Sequence, residues 1–275
     1  MTLVKNRYDF VFLWDVKNGN PNGDPDFDNM PRIDAESQIG LTTDGCIKSK
    51  VKHFVSLKHS LKTPYNIFVR KGNTLNELIE ASVGETKQKQ QNNMCENYWD
   101  IRTFGAVLTT GKNIGEVRGP VQFVFSESID KIFQAYHSIT RCAVATIEEK
   151  EEQKKRENPS TFGSKKTVPY GLYRMHGFVS AFDAQKTGFT EEDLELLWES
   201  LINAFEHDRS AARGEMNPRK LIVFKHDSEL GNARSGELFE KVIVEKNNDL
   251  PRKWSDYSVR IDKNLPSGIT LIEKL

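Results

Sequence analysis

Aromatic and polar residues alternate at the start of the chain. Tyr8, Phe10, Phe12 and Trp14 fall on one face of a strand predicted over residues 7 to 16, with Asp9, Val11 and Leu13 on the other. The pattern then stops, and "DVKNGNPNGDPDFDNMPR", Asp15 to Arg32, consists largely of Asn, Gly, Pro and Asp. From about Asp44, whose carboxylate can cap a helix, to Leu61 the apolar residues change period. Ile47, Val51, Phe54, Val55 and Leu61 give a buried helical stripe, and Lys48 and Lys52 lie one turn apart on another face. "YNIFVR" reads as a short strand, "TLNELIEASV" and "ENYWDIRTFGAVL" as helices separated by a mobile Gln/Asn-rich stretch, and "EVRGPVQFVFSES" as a strand.

Between Ala145 and Thr167 the apolar pattern disappears into dense mixed charge, so this segment must project from the core. Its strand-like flanks, "HSITRCAVAT" and "YGLYRMHGFVSAF", suit an extended hairpin arm; a disordered surface insertion is the other reading. "TEEDLELLWESLINAFEH" is the clearest helix. Thr190 serves as N-cap, acids fill the first turn, and Leu194, Leu197, Trp198, Leu201, Ile202 and Phe205 point inward. "KLIVF" is a short buried strand. With the insertions set aside, the order strand, helix, strand, strand, helix, strand is the split βαβ or ferredoxin-like pattern of an α+β fold, which RNA-recognition modules also use. One elaborated domain over residues 1–275 is expected, with insertions at about 62–116 and 141–174.

Composition narrows the functions. The chain is 37% apolar and 28% charged, no apolar run approaches the roughly 18 residues of a spanning helix, and "MTLVKNRYDF" lacks a signal peptide's apolar stretch, so a cytoplasmic protein without membrane contact is expected. Cys46, Cys95 and Cys142 form no CxxC pair and are read as buried free thiols. Net charge is zero, from 39 basic and 39 acidic residues, which excludes a generally polycationic nucleic-acid binder. The distribution is uneven, however. No acid occurs between Asp44 and Glu77, while Lys48, Lys50, Lys52, Lys58, Lys62, Arg70 and Lys71 accumulate there with His53 and His59, as a local polyanion field or as a solvated helix face.

The Asp15–Arg32 loop has neither the Gly-Lys-Ser/Thr of a phosphate cradle nor the GxGxxG of a dinucleotide site. Asp24, Asp26 and Asp28 imitate the start of a calcium loop, but Asn29 stands where the turn needs glycine and Ala35 where a bidentate Glu is needed. No metal or other cofactor is therefore expected. The loop's amides and backbone N–H groups, bracketed by Lys17 and Arg32, suit phosphate or sugar; alternatively Asn and Gly only supply turns while the three carboxylates face solvent. The six histidines show no catalytic spacing. Arg209 and Arg213, a turn apart, suit phosphate, a partner's carboxylate, or the end of the preceding helix.

The combination of "RYDFVFLWDVKNGNPNGDPDFDNMPRID", "GLTTDGCIKSKVKHFV" and "DRSAARGEMNPRKLIVF" resembles the crRNA-binding backbone subunit of type I-C CRISPR Cascade, the Cas-seven (Csd-two) family, over essentially the whole chain. The resemblance implies an RRM-like palm with helical, finger-like insertions and a β-hairpin thumb. It implies copies stacking head to tail along one crRNA, which pairs with target DNA, beside Cas-five and Cas-eight type subunits and without catalysis. On that reading Lys17, Asn18, Asn20, Asn22, Arg32, Lys48 and Lys52 contact the guide backbone. Arg141 to Arg174 forms the thumb, and Arg141, Arg174, Arg209 and Arg213 serve RNA or a neighbouring subunit. A CRISPR-repeat endoribonuclease on a related fold is the alternative, and a calcium-binding module a weaker one.

Overall fold

A computed structural model of the protein describes residues 2–141, 143, 146–148, 150–151 and 161–275. Its centre is β1 (Tyr8–Gly19), which pairs antiparallel with two long strands, the 19-residue Thr161–Val179 and the 12-residue Glu215–His226. Side chains alternate as their pattern predicts. Tyr8, Phe10, Phe12, Trp14 and Val16 join the main core, while Val11 and Leu13 join a second core on the opposite face. Both faces are covered, so the polar residues of the second face are buried and need partners. Asp9 is met by Arg7 at 2.9 Å and His226 at 3.1 Å, and Asp15 by Tyr170 at 2.8 Å and Arg219 at 2.9 Å.

Numbered along the chain, the remaining strands are β2 (Gly23–Asp24), β3 (Met30–Pro31), β4 (Ile39–Thr42), β5 (Gly105–Leu108), β6 (Gly115–Arg118), β7 (Val121–Phe123), β8 (Ser126–Lys131), β9 (Ala135–Arg141), β10 (Thr161–Val179), β11 (Glu215–His226), β12 (Val242–Lys246), β13 (Tyr257–Ile261) and β14 (Ile269–Glu273). The helices are α1 (Asp44–His59), α2 (Leu75–Glu80), α3 (Lys87–Asn97), α4 (Trp99–Phe104), α5 (Ala181–Thr187), α6 (Glu191–Ile202) and α7 (Ser235–Glu240). The main sheet runs β14-β11-β1-β10-β8-β4, with β7 and β9 also on β10, and all its pairings are antiparallel. Helices α1 and α6 bury Ile47, Val51, Val55, Leu194, Leu197 and Leu201 against one face; α7 and the β12–β13 ribbon close the other. The architecture is mixed α/β on one large antiparallel sheet. Among the described residues no helix is long and apolar enough to cross a membrane.

Several local expectations are corrected. Thr43, not Asp44, caps α1, accepting from the Cys46 amide, and the helix stops at His59. "KLIVF" is the middle of the longer β11. A bulge beside Leu13 and Trp14 lets that strand pass Pro218, which has no N–H to donate. "YNIFVR" makes only an isolated bridge at Asn66, because the Asp100 carboxylate, and not another strand, takes the Phe68 and Val69 amides. The Gln/Asn-rich stretch is helix α3: the Gln90 side chain bonds the Gly84 carbonyl and Gln91 the Ile114 carbonyl, so its amides find partners without solvent.

The 62–116 insertion is helical only in part, since β5 and β6 form a hairpin within it around a small core of Phe68, Ile79, Met94, Ile101 and Leu108. The hairpin arm's paired base is Ala135–Arg141 on Thr161–Thr167, displaced from the expected 141–174. Residues 168–179 pair with β1 in the middle of the sheet, a position that their two-sided burial requires. The arm's tip, most of 142–160 with Cys142, lies outside the described residues. Cys46 is half-buried and Cys95 buried, both as free thiols.

Candidate nucleic-acid interface

Residues 49, 52, 53 and 56 of α1 share a helical stripe turned away from the Ile47, Val51 and Val55 stripe that packs on the sheet. Ser49, Lys52, His53 and Ser56 therefore line a cavity of about 910 Å³. Asn20, Asn22, Gly23 and Asn29 of the Asn/Gly loop form its second wall, Ile67, Val69, Arg70 and Lys71 its third, and Asp208, Ser210, Ala212 and Arg213 its fourth. Five cations, Lys50, Lys52, Arg70, Lys71 and Arg213, face one carboxylate, Asp208. Lys50 and Arg213 both pair with that carboxylate, the latter at 2.7 Å. Lys52 forms no ion pair among the described residues, and burial lowers its pKa. Burial likewise pushes the Cys46 thiol up, leaving it a poor nucleophile.

The loop is fixed from three sides. Asn22 Oδ1 accepts from the Thr43 backbone N–H at 3.0 Å and its hydroxyl at 3.1 Å, which ties the loop to the cap of α1. Asn20 donates from its backbone to the Ala212 carbonyl at 2.7 Å, and from its side chain to that of Asn29 at 2.7 Å. At this seam Gly19 has no room for a side chain: a Cβ there would lie 1.8 Å from the Arg213 carbonyl oxygen. On its other side the loop clasps the arm. Asp28 pairs with Lys166, and Gln134 donates to the Pro31 carbonyl at 2.5 Å. Two of the three loop carboxylates are thus engaged, because Asp24 also caps the 3-10 turn Pro25–Phe27 and pairs with Arg32 at 3.2 Å. Among the described residues no cluster of three or more His, Cys, Asp or Glu side chains forms a metal site.

Of the sequence-derived RNA contacts, Asn20, Asn22 and Lys52 line the cavity together with Arg213. Lys17 and Asn18 are exposed at the end of β1, outside it. Arg32 is occupied by Asp24, and Lys48 by Asp44 at 2.9 Å with its ammonium over the Phe104 ring. Arg209 pairs with Glu206 at 3.0 Å on the surface. Arg141 ends β9, and its side chain lies outside the described residues.

Arg174 belongs to the opposite face, where it donates to the Phe239 carbonyl and to His176 at 2.9 Å. His176 stacks on Phe239 there, and burial together with the adjacent guanidinium pushes its pKa from 6.5 down to about 4. The folded chain thus resists a proton that the unfolded chain accepts, so stability should fall as pH drops from 6.5 to about 4. His176→Gln should flatten that part of the Tm-versus-pH curve, and an unchanged slope would remove His176 as its source. Sequence reasoning left Ser49, His53 and Ser56 unassigned, although their spacing opposite the apolar stripe was a sufficient signal.

Sheet and cavity together define a class: an α/β protein that opposes an Asn/Gly loop and a lysine-bearing helix across a cationic cleft. The chain belongs to the CRISPR-associated protein Cas7 family, whose model matches residues 6–262. CRISPR-associated protein Cas7 of Haloferax volcanii is 25% identical over 305 residues, covering 98% of this chain and 83% of that protein. Among solved structures, a chain of a CRISPR RNA-guided surveillance complex, pre-nicking, superposes with a TM-score of 0.51 at 12% identity, over 79% of this chain and 78% of that one, and so shares the fold. A chain of another CRISPR RNA-guided surveillance complex gives a TM-score of 0.45 at 14% identity, over 79% and 68% respectively.

Proposed function

We propose that this chain is a non-catalytic, crRNA-binding backbone subunit of a type I-C CRISPR surveillance complex. Copies stack head to tail along one guide RNA and present it for pairing with target DNA, beside Cas-five and Cas-eight type subunits. The observation that carries this reading is the convergence of the Asp15–Arg32 loop and α1 on one cationic cavity. Five cations and a wall of amides and hydroxyls suit a phosphate and sugar backbone and leave letters to base pairing. The strand order β11-β1-β10-β8, with helices joining β1 onward and β10 to β11, supports an RRM-like palm. The paired base of the hairpin supports the thumb. Neutral net charge fits a stacked subunit, whose acidic surfaces meet neighbours while one groove meets RNA.

Purification from cells with nucleic acid retained tests the assignment. Discrete oligomers that carry RNA of repeat and spacer sequence are expected; a nucleic-acid-free monomer would refute it. Incubating the protein with a CRISPR repeat RNA addresses the nuclease alternative, and a single specific cut lost on replacing one histidine would decide for the enzyme.

A further inference from the structure

Arg70 and Lys71 follow a segment, residues 67–69, that belongs to no helix or strand. One buried group holds it. Asp100, 3% exposed, accepts the Phe68 amide at 2.8 Å on one carboxylate oxygen and the Val69 amide at 2.9 Å on the other. Desolvation raises the pKa of Asp100 against the pull of those two bonds, so keeping this charge inside costs stability. A group retained at such a cost points to a role beyond folding. Lys52 supplies the second observation. Its ammonium is opposed by burial and by Lys48 on its own helix, and supported by Asp100 from α4. Lys50 and His53 on α1, Arg70 and Lys71 on the adjoining segment and Arg213 opposite line the same cavity, and its one carboxylate, Asp208, already serves Lys50 and Arg213.

Building on the RNA-groove reading, we infer that Asp100 is a positioning residue of the groove. Its carboxylate sets the Phe68–Val69 backbone so that Arg70 and Lys71 face the cavity, and it supplies the counter-charge that keeps Lys52 cationic.

The test is fluorescence anisotropy with a single-stranded RNA of adenine and cytosine, whose bases do not ionise in this range, from about pH 7 to about pH 10. Asp100→Asn keeps the side chain's size but removes its charge and one acceptor. Its affinity near pH 7 should fall about tenfold, and the alkaline midpoint of binding should move down by about one pH unit. Lys52→Arg, whose guanidinium stays charged, should abolish that shift in the Asp100→Asn background. A purely structural Asp100 would lower affinity by one factor at every pH, and such parallel profiles would overturn the inference. If Asp100→Asn does not fold, Lys52→Arg in the otherwise natural chain must still move the alkaline limb upward, and an unmoved limb overturns it too. A natural protein that binds no RNA would instead remove the groove reading on which this rests.

Discussion

Replacing Arg102 by alanine should lower folding stability by about 3–5 kcal/mol, the usual effect of removing one member of a buried ion pair. Arg102 and Asp193 have side chains 7% and 3% exposed and meet twice, at 2.9 Å and 2.7 Å. The guanidinium also donates to the Cys95 carbonyl at 2.7 Å and the Pro64 carbonyl at 3.2 Å. Asp193 in turn completes the capping box of α6, accepting from the Thr190 backbone and hydroxyl at 3.0 and 3.1 Å. One ion pair therefore joins the 62–118 insertion to the helix that covers the sheet. Truncating Arg102 leaves a carboxylate buried with only the cap as partner, a larger cost than the pair's own net contribution. Urea denaturation of Arg102→Ala, Asp193→Ala and the double variant measures the coupling. The double variant should be less unstable than the sum of the two singles. A single variant within about 1 kcal/mol of the natural protein would show that the joint is held by packing instead.

Neutralising Lys52, Arg70 and Lys71 together is the second large effect. Each phosphate contact on a single strand contributes about 0.7 to the slope of log affinity against log salt. Loss of three should lower that slope by about 2 and, at physiological salt, weaken RNA binding about 50-fold, equally for every sequence. Lys48→Ala is the control, because Lys48 is held by Asp44 outside the cavity and should change affinity little. Filter binding at several salt concentrations reads both quantities. An unchanged slope in the triple variant would take those three cations out of the binding surface.

What could be read in one dimension was whatever depends on short-range period. Alternation placed Tyr8, Phe10, Phe12 and Trp14 on one face because a strand repeats every two residues. Helical spacing located α6 with Thr190 at its cap, since caps and apolar stripes are made by residues three and four apart. The acid-free stretch from Gly45 to Asn76 marked where positive charge collects, and Arg70 and Lys71 lie within it. The loop motif carried the family resemblance, which the family match over residues 6–262 bears out.

Other features depended on partners distant in sequence. Asp100 lies 32 residues from the Phe68 amide that it takes, so nothing local to "YNIFVR" says that those N–H groups are unavailable to a strand. Polar α3 is a helix because carbonyls at Gly84 and Ile114 receive its amides. Lys48 and Lys52 are equivalent by spacing, yet Asp44 holds the first outside the cavity while the second faces into it. Chain pattern thus determined the elements, their buried faces and the basic region, because those follow from repeats of two and 3.6 residues. Tertiary structure alone decided which cations face one cavity and which are neutralised, because charge pairing acts through space over a few ångströms and is blind to sequence separation.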